Sequence, residues 1–175
     1  MKTLLTMLKH KAIVTKNFRQ FIAKLQEREA MHDVSKFQQD EFDGFSELDS
    51  AEVFKLYGTD EYKKRIAENK GIKLHYQRNS HHPEHFEADE ANYGFSFSSM
   101  DMMTFTDLLE MVIDWKSACE TYGTNFEESL EISMRRFLPS SHTEYMIRMI
   151  ASDLYGTKPP AVIGFEATVS KKADN

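Results

Sequence analysis

The chain has 175 residues, 41% of them apolar and 29% charged, which fits one globular domain able to bury a core without disulfide or metal staples. Thirteen Phe, seven Tyr and ten Met supply bulky core side chains, and the absence of low-complexity tracts excludes wholesale disorder. The formal charge of −6, from 22 basic and 28 acidic side chains, comes without a sustained basic stripe and argues against polymeric nucleic acid as a partner, although a single nucleotide needs only one or two cations.

Leu4, Leu5, Leu8 and Ala12, then Phe18, Phe21, Ile22 and Leu25, recur at helical spacing. They predict one long helix, or two with a break near Val14-Thr15, ending around Glu29. Met1 to Leu5 begins like a signal peptide but soon meets Lys9, His10 and Lys11, without a long apolar core or a cleavage site. No run approaches the ~20 apolar residues of a membrane span. The single cysteine, Cys119, rules out an intrachain disulfide. These features predict a soluble, cytoplasmic protein with no membrane partner.

After His32-Asp33-Val34-Ser35-Lys36-Phe37, a helical pattern continues through Asp40, Phe42 and Phe45, and Asp43-Gly44 with the following serines reads as a helix end and turn. Ala51–Tyr57 predicts a short helix stopped at Gly58. Asp60 can cap the next helix, which carries Tyr62 and Ile66 and is interrupted at Lys70-Gly71. Residues 87–103 form the longest loop-like stretch, of the kind that often serves as a lid. Thr106 reads as the N-cap of a helix whose stripe runs through Leu108, Met111, Val112, Trp115 and Cys119 to Gly123. Cys119 on that stripe reads as a buried thiol. Helices over Phe126–Phe137 and from about Ser140 to Leu154 follow, and the tail from Gly156 is non-helical, with Val162, Ile163 and Phe165 as material for a homo-oligomer arm. The fold class is all-α: one helical domain over residues 1–156 with an extended tail at 157–175.

Six of the seven histidines fall at positions 10, 32, 75, 81, 82 and 85. Imidazole is a common ligand for borderline metals, and carboxylates complete such sites for manganese, iron, cobalt, nickel or zinc. Placed side by side on a helix, His32 and Asp33 would point about 100° apart and could both reach an ion lying between them. Asp114 falls at the border of an apolar stripe, where a carboxylate must be paired, hydrogen-bonded or metal-bound. Glu110, one turn earlier, could orient an imidazole.

The order His10, then His32-Asp33, then further histidines, then Asp114 resembles the His-Asp superfamily of metal-dependent phosphohydrolases. That resemblance implies a helical bundle of the same type, with a long loop before the Asp-bearing helix, and one divalent ion held by His10, His32, Asp33 and Asp114. It assigns Lys36, in His-Asp-x-x-Lys, to a substrate phosphate. His32 through Phe37 with Glu41, His75 through Glu84, and Glu110 through Trp115 also resemble an uncharacterised family common in bacteria and phages, over roughly residues 8–150.

The expected activity is hydrolysis of a small phosphorylated substrate, a nucleotide foremost. Lys36 and Arg78 would neutralise the phosphate, and His81, His82 or Glu84 would move protons. His75 and His82 would complete a second metal position if the site is binuclear. The alternatives are a di-iron oxygenase of the same superfamily and a non-catalytic, metal-stabilised nucleotide-binding module.

Overall fold

The computed structural model describes residues 2–48, 50–87 and 98–160. They are all-helical, and no helix among them is long and apolar enough to cross a membrane. Helix α1 (Lys2–Met31) is followed by a 3-10 turn (Val34–Phe37), α2 (Gln39–Ser46), α3 (Ser50–Lys55), α4 (Asp60–Glu68) and α5 (Lys70–Arg78). A second 3-10 turn (Pro83–Phe86) and a third (Ser99–Met102) precede α6 (Phe105–Tyr122), α7 (Phe126–Phe137) and α8 (Ser141–Tyr155). The core lies where α6, α7 and α8 meet, with Met100, Met111, Val112 and Ile147 fully enclosed and Phe126, Leu130 and Met134 packed around them. Cys119 is buried in this core.

α1 is one unbroken helix, with no interruption at Val14-Thr15. Its length exceeds what its packing supports, for none of its 30 residues is buried. Helices of this kind draw most of their stability from packing an amphipathic face, and α1 contributes its last turn alone to the polar contacts with α6, through Arg28.

Several boundaries differ from the sequence expectation, each for a local reason. Gly44 does not end a helix. It lies inside α2, buried against Gly71 of α5, and a Cβ on Gly44 would stand 2.5 Å from the Gly71 Cα. The absent side chains let two backbones touch, so a helix-ending signal served instead as a packing contact. Thr59 rather than Asp60 caps α4, its side chain accepting from the Tyr62 N–H at 3.2 Å. Asn69 both ends α4 and caps α5, accepting from the Ile72 N–H at 2.9 Å while donating to the Gly44 carbonyl at 2.8 Å.

The N-cap of α6 is Thr104, two residues before the expected Thr106, and it forms a reciprocal capping box with Asp107. Of the expected loop 87–103, Ser99–Met102 is a helical turn, and residues 88–97 lie outside the described residues. Val162, Ile163 and Phe165 lie outside them as well.

The Gly44–Gly71 contact should tolerate no methyl group, because the obstructing atoms are backbone. Gly44→Ala is expected to lower the unfolding free energy by about 1–3 kcal/mol, read as a lower urea midpoint. An unchanged midpoint would show that α2 and α5 need not approach so closely.

Candidate metal centre

His32 and Asp33 do not sit side by side on a helix. α1 ends at Met31, and Asp33 adopts a left-handed backbone (φ 56°, ψ 10°), a conformation aspartate tolerates better than most residues. This bend sends the chain from α1 into the 34–37 turn and aims the Asp33 carboxylate into the bundle. Its Oδ2 accepts from Lys36 Nζ at 2.5 Å, while Oδ1 faces His75 Nε2 at 3.2 Å and His81 Nε2 at 3.5 Å. Burial would raise the Asp33 carboxyl, but His75, His81 and Lys36 outweigh it and hold the group far below the aspartate range.

The imidazoles are oriented by two carboxylates. Glu41, on α2, is fully buried and accepts from Arg78 at 2.8 Å and from Ser35 at 2.9 Å. Its Oε2 also lies 3.0 Å from His75 Nδ1. Were Nδ1–H to donate to Glu41, the Nε2 lone pair of His75 would be free for an ion. His75 Nε2 lies 2.9 Å from His82 Nε2. His82 is driven well below the usual histidine range by burial and by His81 and His75.

Glu110, on α6, plays the same part on the other side. Its Oε1 lies 2.8 Å from His32 Nδ1 and 3.2 Å from His81 Nδ1, and its Oε2 accepts from Arg28 at 2.5 Å. These partners hold the Glu110 carboxyl well below its ordinary range against the effect of burial. His32 is pushed up to about 10, chiefly by Asp114 and Glu110.

The result is a group of four potential ligands, Asp33, His75, His81 and His82, whose atoms lie within 4.8 Å of one another. His32, Asp33 and Asp114 form an adjacent trio, with His32 Nε2 3.5 Å from both Asp33 Oδ2 and Asp114 Oδ1. The two groups share Asp33, one through each carboxylate oxygen. Two further observations fit a cation at the quartet. Asp33 Oδ1 and His81 Nε2 are buried without a hydrogen-bond partner, which is rare unless something else satisfies them. Three imidazole nitrogens with one carboxylate oxygen is also a donor set suited to first-row transition metals.

Some expected site residues are therefore together and others are not. His32, Asp33 and Asp114 converge, but His10 does not join them. It is exposed on α1, and 21 residues of continuous helix lie between it and His32, about 32 Å at 1.5 Å per residue. His81, expected to move protons, is turned into the quartet with His75 and His82. Arg78, expected at a phosphate, is engaged by Asp40 at 2.6 Å and by Glu41. Glu84, also expected to move protons, pairs with Arg136 at 2.5 Å. That guanidinium stacks within 4.5 Å of the Phe137 ring centre and 5.7 Å of Tyr62, so Glu84 secures the 83–86 turn and belongs to none of the ligand groups among the described residues. Lys36 lies at the edge of the site, 5.1 Å above the Phe45 ring.

Sequence reasoning missed Arg28 and Asp107. Arg28 donates to Asp107 at 2.6 Å as well as to Glu110, and Ser80 donates to Asp107 at 2.7 Å, tying the histidine-bearing segment to α6. The signal was present: Phe21, Leu25, Arg28 and His32 follow one helical stripe, and a cation on an apolar stripe implies a buried anion.

The chain belongs to a family of unknown function, DUF5662. The family's profile spans residues 1–153. No curated protein and no solved structure matches the chain.

Burial would raise the Asp107 carboxyl, yet hydrogen bonds from Thr104, Ser80 and Arg28 hold it below its ordinary value. A carboxyl lowered in the folded state stabilises above its unfolded pKa, and the effect fades as pH falls through the folded value. Asp107→Asn should therefore cost about 1–3 kcal/mol at neutral pH, with the gap to wild type closing in acid below about pH 4. A gap independent of pH, measured by urea unfolding, would contradict this.

Proposed function

We propose that this chain is a metal-dependent phosphohydrolase acting on a small phosphoester, with a nucleotide as the favoured substrate class. The observation that carries the reading is the convergence of Asp33 Oδ1 with His75, His81 and His82, in which two buried polar atoms are left without a hydrogen-bond partner. A divalent ion there (manganese, iron, cobalt, nickel or zinc) supplies Lewis-acid polarisation of a phosphoryl oxygen and activation of water. The chain's own residues do the rest.

A cavity of about 560 Å³ opens onto Asp33, His75, His82 and Asp114, a volume ordinary for small-ligand sites. Lys36 lines it and is the cation placed to meet a phosphate, while Phe37, Phe42 and Phe45 form a wall against which a flat base can lie. Asp114, half-buried and facing the same cavity, is positioned to take a proton beside His32. The trio sharing Asp33 supports a binuclear form of the same centre.

Metal analysis of the purified protein tests the first half of this reading. His75→Ala and His82→Ala should lose the ion, whereas His10→Ala should keep it. The second half calls for phosphate release from nucleoside mono- and triphosphates and from cyclic and alarmone nucleotides, with each metal supplied. Lys36→Ala should retain the metal and lose about 10²-fold in kcat/KM. A metal-loaded protein that releases phosphate from none of these would sink the hydrolase reading and leave the metal site standing.

A further inference from the structure

α1 runs parallel to α6. Arg28 meets Asp107 and Glu110, and His32, four residues on, meets Glu110 and Asp114. α6 begins at Phe105, so the register carries α1 before about residue 25 beyond the start of α6, an overhang of about 35 Å. A continuous helix cannot fold back onto α6. Leu4, Leu5, Leu8, Phe18, Phe21 and Ile22 accordingly remain between 40% and 69% exposed. All but Leu5 fall within about 140° of arc on a 3.6-residue helix. Exposed apolar side chains gathered on one helix face, even with Lys11 among them, point to an interaction site.

Charge indicates what covers it. α1 holds seven basic and two acidic side chains, a charge of +5 within a chain of −6, so the remainder carries −11. An arm-to-arm pair would bring +5 against +5. The acidic body is the complementary surface, and it carries a groove of matching sign. This depression of about 590 Å³ between α7, α8 and residues 157–160 is edged by Glu127, Glu128, Glu131 and Glu144. Arg148 answers Glu131 and Glu144 at 2.5 and 2.8 Å, and four glutamates against Arg148 and Lys158 leave the groove net acidic. On α1, Lys11 stands within the apolar arc and Arg19 at its border, so both face whatever the arc faces.

We propose that α1 is an exchanged arm that docks into the Glu127–Glu144 groove of a second copy of this chain, reciprocally, giving a two-fold dimer. Two-fold exchange closes the assembly and leaves no unpaired arm. Each arm covers on the order of 800 Å², one partner's share of a standard interface. Lys11 and Arg19 meet the groove's glutamates, and the leucines and phenylalanines cover Tyr145, Pro159 and Pro160, which also line it.

Sedimentation velocity of the full chain should show a dimer that weakens in high salt. Leu8→Glu/Phe18→Glu on the arm and Glu127→Lys/Glu128→Lys on the groove should each weaken it at least about tenfold in Kd, with far-ultraviolet circular dichroism and metal content unchanged. Mixing Glu127→Lys/Glu128→Lys with Lys11→Glu/Arg19→Glu should restore a mixed dimer, which a misfolded variant could not do. A monomeric wild type would overturn the proposal, and one that co-sediments with phosphatidylserine vesicles would assign the arm to a membrane surface instead. A dimer indifferent to the groove substitutions would equally overturn arm-to-groove docking.

Discussion

Glu41 is wholly removed from water, and a carboxyl group is tolerable there only because Arg78, Ser35 and His75 all meet it. That one side chain links the 34–37 turn, α2 and α5, and it fixes the orientation of the His75 ring. Glu110 repeats the arrangement from α6 with His32, His81 and Arg28. Carboxylates stand behind Nδ1 of His32, His75 and His81, and those three imidazoles turn Nε2 toward Asp33. The Gly44–Gly71 contact serves the same end from the backbone side, since it brings the helix bearing Glu41 against the helix bearing His75.

The helical periodicity and the histidine clustering made the fold class and most of the site legible from sequence. Phe126–Phe137 is helical over that very range, because its apolar spacing and the flanking Asn125 cap are local signals. That His32, Asp33 and Asp114 lie near one another is implied by the resemblance of their order to the His-Asp pattern, not by periodicity. The partition of labour among the histidines could not be read. It depends on the bend at Asp33 and on the 79–82 segment leaving α5 so that His82 faces His75, and neither has a periodic signature.

Glu84 and Arg78 show why polar residues near a histidine cluster mislead. In sequence they are a carboxylate and a cation beside the candidate ligands. In three dimensions each is answered by an opposite charge, Arg136 in one case and Asp40 with Glu41 in the other. Long-range ion pairs of this kind leave no local trace, because the partners are 52 and about 38 residues distant. His10 misled differently. Its ordinal place in a ligand pattern carries weight only if the helix between it and His32 turns back, and α1 runs straight.

Arg28 occupies the last turn of α1 and grips both Asp107 and Glu110. The helix is therefore a lever about 45 Å long, with its fulcrum one residue pair away from the carboxylate that orients His32 and His81. Anything that binds the far end of the arm is thus joined through Arg28 to the carboxylate facing His32 and His81. If such binding changes the affinity of an ion at those imidazoles, the ion must change the affinity of that binding by the same factor.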